Sequence, residues 1–174
     1  MNNYKLIDLE VPGALRIEGE LFQDSRGLFT SPFRESVPVR IKRSYANVYV
    51  SYNTKKFTLR GFHYQKAPKG ENKIVTALTG SALHVVIAKL DNGRFCLAKN
   101  YLNQPNISSF VPDNAASAFL TLESNTVIHY LSDSPYDPQL SSGYLWNDPT
   151  IGFDWGVSSS EITISDRDLQ FPLI

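Results

Sequence analysis

The sequence predicts an all-β protein: an antiparallel sandwich or barrel of the jelly-roll type, with few short helices. Three observations lead there. Aromatic residues make up 12% of the 174 residues while methionine occurs once, a balance that favours strands over helices. Runs rich in β-branched and aromatic residues recur along the chain between turn-forming residues. Ten glycines and ten prolines are scattered along the chain, as in a protein of many short strands and turns.

In chain order, residues 46–52 (ANVYVSY) read as a strand, and residues 57–65 (FTLRGFHYQ) as a second, interrupted by Gly61. Residues 73–90 read as a hairpin about Thr79-Gly80-Ser81. Shorter strands follow at 108–111, 118–122 and 126–131, with Pro112-Asp113-Asn114 and Glu123-Ser124-Asn125 as turns. A short helix or turn is expected near Asn147-Asp148-Pro149 or over 165–169, where Ser165 suits the N-cap. No repeat, low-complexity tract or linker divides the chain, so residues 1–174 read as one domain, long enough to bury about 70% of the unfolded surface.

Seventeen Lys and Arg balance seventeen Asp and Glu, and the pI is near 6.8. A neutral chain has no general attraction for polyanions, so neither nucleic acid nor an anionic membrane is an expected partner. One cysteine forms no internal disulfide and no multi-cysteine zinc site. The start MNNYKLIDLE has no apolar core of signal-peptide length, and no run of about 18 apolar residues exists. A cytoplasmic location is the expectation.

Several segments carry a resemblance. Thr58-Leu59-Arg60-Gly61-Phe62-His63-Tyr64-Gln65, followed by Glu71-Asn72-Lys73-Ile74-Val75, is similar to the signature of the dTDP-4-dehydrorhamnose 3,5-epimerase family. Asp24-Ser25-Arg26-Gly27-Leu28-Phe29 resembles its D-x-R-G-x-F element. Tyr130-Leu131-Ser132-Asp133-Ser134-Pro135-Tyr136 resembles its tyrosine-flanked element, Trp146-Asn147-Asp148-Pro149 its WNDP element, and Ser165-Asp166-Arg167-Asp168 its S-x-[KR]-D element. The matches run in order from residue 24 to residue 168. The resemblance implies a cupin-like jelly roll, a homodimer, a nucleotide-diphosphate 4-keto-6-deoxy sugar as substrate, and no metal or organic cofactor. It also implies a deoxysugar product for a bacterial surface polysaccharide, such as the O-antigen of lipopolysaccharide, or for a glycosylated metabolite. The N-terminal strand region is the candidate for exchange between subunits.

The chemistry accounts for the residue types. A ketone at C4 acidifies the hydrogens at C3 and C5. Epimerisation then needs a base on one face, an acid on the other, and stabilisation of the enolate between them. By resemblance His63 is the base, Asp168 its partner, Lys73 the enolate stabiliser and Tyr130 the acid. Contact between His63 and Asp168 within about 3.5 Å is expected. Arg26, Arg60 and Arg167 match positions that meet the substrate or its diphosphate, a task for which the planar guanidinium is suited. Phe29 and Tyr136 match aromatic positions near the base or sugar, and Ser117 a pocket position.

Strand parity adds an independent expectation. In a regular strand Arg60 and His63 point to opposite faces. Placing both in one pocket requires an irregularity, and Gly61 allows a bulge there.

The chain also departs from the family. Ser117 replaces a pocket histidine, Ser31 and Ser141 replace glutamates, and His84 and Ala88 replace aspartates. Val48-Tyr49-Val50 stands where Gln and Asn meet the nucleotide base. Two outcomes compete: a different nucleotide (CDP in place of dTDP) or inversion of one carbon, against a pocket that has lost activity. Retention of all four acid-base residues favours the first. A second imidazole at His84 is expected to add a possible positive charge near His63 or Lys73 and to depress their pKa values. Rival readings are a 3,4-ketoisomerase and a non-catalytic sugar-binding jelly roll. A metal-dependent cupin is disfavoured, because His63, His84 and His129 stand apart and no H-x-H occurs.

Overall fold

Strand-forming residues dominate the computed structural model, which describes residues 4–33 and 47–174. In chain order the strands are β1 (Lys5–Asp8), β2 (Leu15–Glu18), β3 (Leu21–Asp24), β4 (Gly27–Thr30), β5 (Asn47–Asn53), β6 (Leu59–Gln65) and β7 (Lys73–Thr79). They continue with β8 (Ala82–Lys89), β9 (Phe95–Leu102), β10 (Ile107–Val111), β11 (Ala116–Thr121), β12 (Thr126–Ser132) and β13 (Ser141–Gly143). Ala46, the first residue of an expected strand, lies outside the described residues. The short helix α1 (Asp166–Leu169) begins where expected, with the Ser165 side chain accepting the Asp168 amide. Asn147-Asp148-Pro149 lies in turns, one of the two outcomes expected there.

Six strands make one antiparallel sheet, in the order β1-β2-β10-β7-β12-β5, and five make a second, β13-β6-β11-β8-β9. Their inward faces share one core, where Val75, Ala77, Val111 and Ile128 of the first sheet meet Val86, Ala88, Leu102 and Phe119 of the second. The fold is thus the expected antiparallel sandwich. The outer face of the second sheet is covered in turn by the C-terminal segment: Ile151 and Trp155 pack on Phe62, Val85 and Leu120. This explains the near-continuous apolar run of β8, which is buried on both faces.

One expectation fails. Residues 73–90 do not form a hairpin. The turn at Gly80 (φ +70°) is present, but β7 pairs with β10 and β12 while β8 pairs with β9 and β11. The chain crosses from one sheet to the other there. A hairpin and a sandwich corner share the same local turn and strand preferences; they differ only in long-range partners. The sequence carries no clear signal for β1 to β4, β9 and β13. Most of these are short, and β3 and β4 are exposed throughout, so alternation has no buried face to register.

The irregularity expected at Gly61 is present. Ser117 pairs with His63 but Phe119 with Arg60, so three steps along β6 oppose two along β11. Leu59 and Phe62 therefore share the outer core. Arg60 and His63 share the inward cavity face. Gly61 adopts φ +119° and the Gly61–Phe62 peptide is cis.

The C-terminal tail is held by the WNDP element. Buried Asp148 accepts the Thr150 amide at 2.7 Å and the Ile174 amide at 2.8 Å. Burial works to raise its carboxyl, and these amides more than offset that and hold it below the usual range. The same tail brings the Phe171 ring edge-on to His63, centroids 5.7 Å apart. Among the described residues no helix is long and apolar enough to cross a membrane.

Candidate active site

A cavity of about 410 Å³ opens between the two sheets. The second sheet supplies Arg60, His63, His84 and Ser117 to its lining, and the first supplies Ser51, Lys73 and Tyr130. Tyr136 and Arg167 border it from the loop after β12 and from α1. The structure therefore gathers eight of the ten expected site residues: His63, Lys73, Tyr130, Arg60, Ser117, Tyr136 and Arg167 line the cavity, and Asp168 stands behind His63.

The His63–Asp168 contact is 2.9 Å, from Nε2 to Oδ1. Asp168 is only 4% exposed, and its Oδ2 accepts the Gly61 amide at 3.0 Å. Burial pushes this carboxyl upward, yet the His63 hydrogen bond and charge, the Gly61 amide and Ser165 outweigh it and hold the pKa below the ordinary value. Asp168 is therefore an ionised acceptor at neutral pH. An ionised carboxylate only accepts, so the Nε2 of His63 carries hydrogen and Nδ1 is the basic nitrogen of the neutral ring.

Lys73 is 7% exposed on the facing sheet and pairs with Glu71 at 3.1 Å. Burial would raise the Glu71 carboxyl; Lys73, with smaller help from Ser132 and His63, keeps it low and ionised. Glu71 lies inside the signature without a role by resemblance, since its pairing with Lys73 depends on the tertiary fold. Tyr130 is pushed up to about 12, chiefly by burial, with a Ser51 hydrogen bond (3.2 Å) and the Arg60 charge acting weakly the other way. Its phenol keeps its proton at neutral pH, which the acid role expected of it requires.

Arg167 donates to the Tyr136 hydroxyl at 3.1 Å and to Ser141 Oγ at 2.7 Å, and the Tyr136 amide donates to the Tyr49 hydroxyl at 2.9 Å. These bonds fix the cationic rim. Arg60 Nε donates to buried Asn53 at 2.9 Å, which helps hold the guanidinium in the cavity lining.

Arg26 and Phe29 are not brought to this cavity. Both lie on the two-stranded ribbon β3–β4, where Arg26 pairs with Asp24 at 2.6 Å and Phe29 is 67% exposed. The expected charge at His84 is also corrected. Complete burial, and secondarily the Lys73 charge, bring its pKa down to about 3, so the ring is neutral near pH 7. His84 and Ser117 stand diagonally on one face of adjacent strands, His84 opposite Phe119 and Ser117 opposite Val86. Phe171 and Ser51 carry no signal in the sequence, where an isolated aromatic or serine is unmarked, and Tyr49 is marked there only as part of the stretch that replaces the base-contacting Gln and Asn.

The family model for dTDP-4-dehydrorhamnose 3,5-epimerase matches residues 8–174. The chain belongs to this family. It is accordingly an enzyme, a nucleotide-sugar epimerase. Among curated relatives, the dTDP-4-dehydrorhamnose 3,5-epimerase of Mycobacterium tuberculosis is 31% identical over 97% of this chain and 86% of that protein. The enzyme of Methanothermobacter thermautotrophicus is 28% identical over 97% and 93%. Among solved structures, the Bacillus anthracis epimerase with TDP and pyrophosphate bound superposes with a TM-score of 0.90 at 30% identity, covering 99% of this chain and 100% of that one. A 3′-monoepimerase from Streptomyces bikiniensis in complex with dTDP-quinovose superposes at 0.80 with 28% identity, covering 92% and 83%. The cupin-like sandwich of this epimerase is thus the family fold.

Proposed function

We propose that this epimerase inverts C3, or C3 and C5, of a nucleotide-linked 4-keto-6-deoxy sugar by acid-base chemistry through an enolate. The observation that carries the reading is the placement of a carboxylate-backed His63 on one sheet and a protonated Tyr130 on the other, with Lys73 in the same cavity. His63 Nδ1 takes the C3 proton. The C–H electron pair becomes the C3–C4 double bond, and the carbonyl π pair moves onto the C4 oxygen beside Lys73. Tyr130 then delivers its proton to C3 from the opposite face as the carbonyl re-forms, and solvent reprotonates the phenolate and relieves His63 of its proton. Ionised Asp168 holds the ring tautomer and stabilises the imidazolium.

The diphosphate is assigned to Arg60 and Arg167, the two arginines that line the cavity. Relatives of known structure hold TDP or a dTDP-sugar, which supports a thymidine nucleotide here, with CDP the alternative. A panel of dTDP-, CDP- and GDP-linked 4-keto-6-deoxy sugars in deuterated solvent, read by NMR for label and product, tests the reading. Deuterium at C3 with inverted product is the expected result. Tyr130→Phe is expected to lower product formation by about 10²- to 10⁴-fold while leaving part of the C3 exchange, since His63 still removes the proton. A ketoisomer as product, or no exchange with any sugar, overturns it.

A homodimer belongs to the same proposal, with the β3–β4 ribbon reaching the partner so that Arg26 and Phe29 complete its site. The ribbon exposes Phe22, Leu28 and Phe29 at 50%, 56% and 67%, apolar area of the kind that interfaces cover. Sedimentation is expected to give a mass twice the chain's 19.5 kDa. A monomer at micromolar concentration would refute it.

A further inference from the structure

The wall of the cavity contains one group that the proton transfers do not use. His84 is 1% exposed, lines the cavity, and holds a buried Nδ1 with no hydrogen-bond partner. Nearby interior polar groups are paired: Thr76 bonds Ser108, and Asn100 bonds Ser109. Among the described residues one other buried side-chain polar atom is unpartnered, Asn106 Oδ1, and Asn106 does not line the cavity.

Strand alternation sets His84 in the inward row of β8 with Val86 and Ala88, both apolar. No hydrogen bond to Nδ1 ties the ring into the wall, and its cavity-lining edge can present an N–H to a ligand. The charge that His84 feels is Lys73, on the facing sheet. The ring is neutral near pH 7, so it offers one N–H without repelling the Lys73 cation. A sugar whose C4 oxygen lies beside Lys73 presents an acceptor to that same region.

We propose that His84 is a catalytic residue of this epimerase, donating an imidazole N–H to the C4 oxygen alongside Lys73. The bond strengthens as the carbonyl oxygen gains charge in the enolate, so it acts on the transition state more than on the bound ketone. A neutral imidazole is suited to polarise a carbonyl in this way. The assignment deepens the epimerase reading and rests on it.

His84→Leu and His84→Gln test it, with three measurements on each: kcat and KM on the best substrate of the panel, deuterium uptake at C3, and the melting temperature. His84→Leu is expected to lower kcat and C3 exchange on the order of 10²-fold with KM little changed. Its melting temperature is expected to stay level or rise, because an apolar side chain of similar size replaces an unpartnered polar one. His84→Gln, which retains an N–H donor, is expected to regain about tenfold of that loss. Unchanged exchange in His84→Leu overturns the assignment. So does a loss accompanied by a lower melting temperature and no recovery in His84→Gln, which would mark a packing role. Absence of exchange in the unsubstituted protein would instead remove the epimerase reading, and this assignment with it.

Discussion

Asp168→Asn is expected to leave the protein folded and to slow C3 exchange by about 10³- to 10⁴-fold. The reason lies in two fixed hydrogen bonds. The Gly61 amide is a donor, and at 3.0 Å it demands an oxygen. An asparagine at 168 would turn its carbonyl oxygen to Gly61 and therefore its NH2 group to His63. That NH2 needs an acceptor, so Nε2 of His63 would surrender its hydrogen and Nδ1 would take it up. The tautomer is then inverted, and the basic nitrogen of the proposed mechanism carries a proton. His63→Ala is expected to be at least as damaging, because it removes the base itself. KM should move little in Asp168→Asn, since Asp168 stands behind His63 and does not line the cavity. Steady-state kinetics beside deuterium exchange reads both effects. If Asp168→Asn keeps its exchange rate within tenfold, the pair is structural and the mechanism needs another base.

Gly61→Ala is expected to destabilise the protein by roughly 4 kcal/mol or more, among the largest effects of a single methyl group. At φ +119° the backbone is in a region that side-chain-bearing residues scarcely enter. A Cβ there would also meet the Ser117 carbonyl oxygen at 2.6 Å and the Ala118 Cα at 2.7 Å. Both contacts are backbone of β11, which is hydrogen-bonded on its other edge to β8 and has little room to retreat. Relief requires β6 to leave β11 or to resume regular pairing. Regular pairing sends Arg60 and His63 to opposite faces, so activity should fall even in molecules that remain folded. Urea unfolding measures the stability, and exchange at C3 the activity. A variant with an unchanged midpoint would show that the irregularity is not what holds the two residues together.

Both predictions concern features that were partly legible in the chain. By resemblance, three separate motifs marked the candidate site: the signature with His63 and Lys73, the tyrosine-flanked element with Tyr130, and the S-x-[KR]-D element with Asp168. The parity conflict between Arg60 and His63 located the bulge without any coordinates. Strand positions in the middle of the chain were legible because β-branched and aromatic residues bias φ and ψ locally. By contrast, β3 and β4 were not legible, since an exposed ribbon has no buried face to impose alternation.

The sequence by itself determined the class of fold, most central strands and, by resemblance, the family and the candidate acid-base residues. These depend on backbone preference and side-chain chemistry, which a residue carries wherever it sits. Only the tertiary structure decided that β7 and β8 belong to different sheets, that Glu71 pairs with Lys73, that Phe171 rests against His63, and that Arg26 and Phe29 stand away from the cavity. It also decided the state of His84, expected as a source of positive charge and found neutral and unpartnered. Each of these is set by contacts between residues distant in the chain or by the loss of water around a group. The energy of a charge or a hydrogen bond depends on that environment, which a linear pattern does not encode.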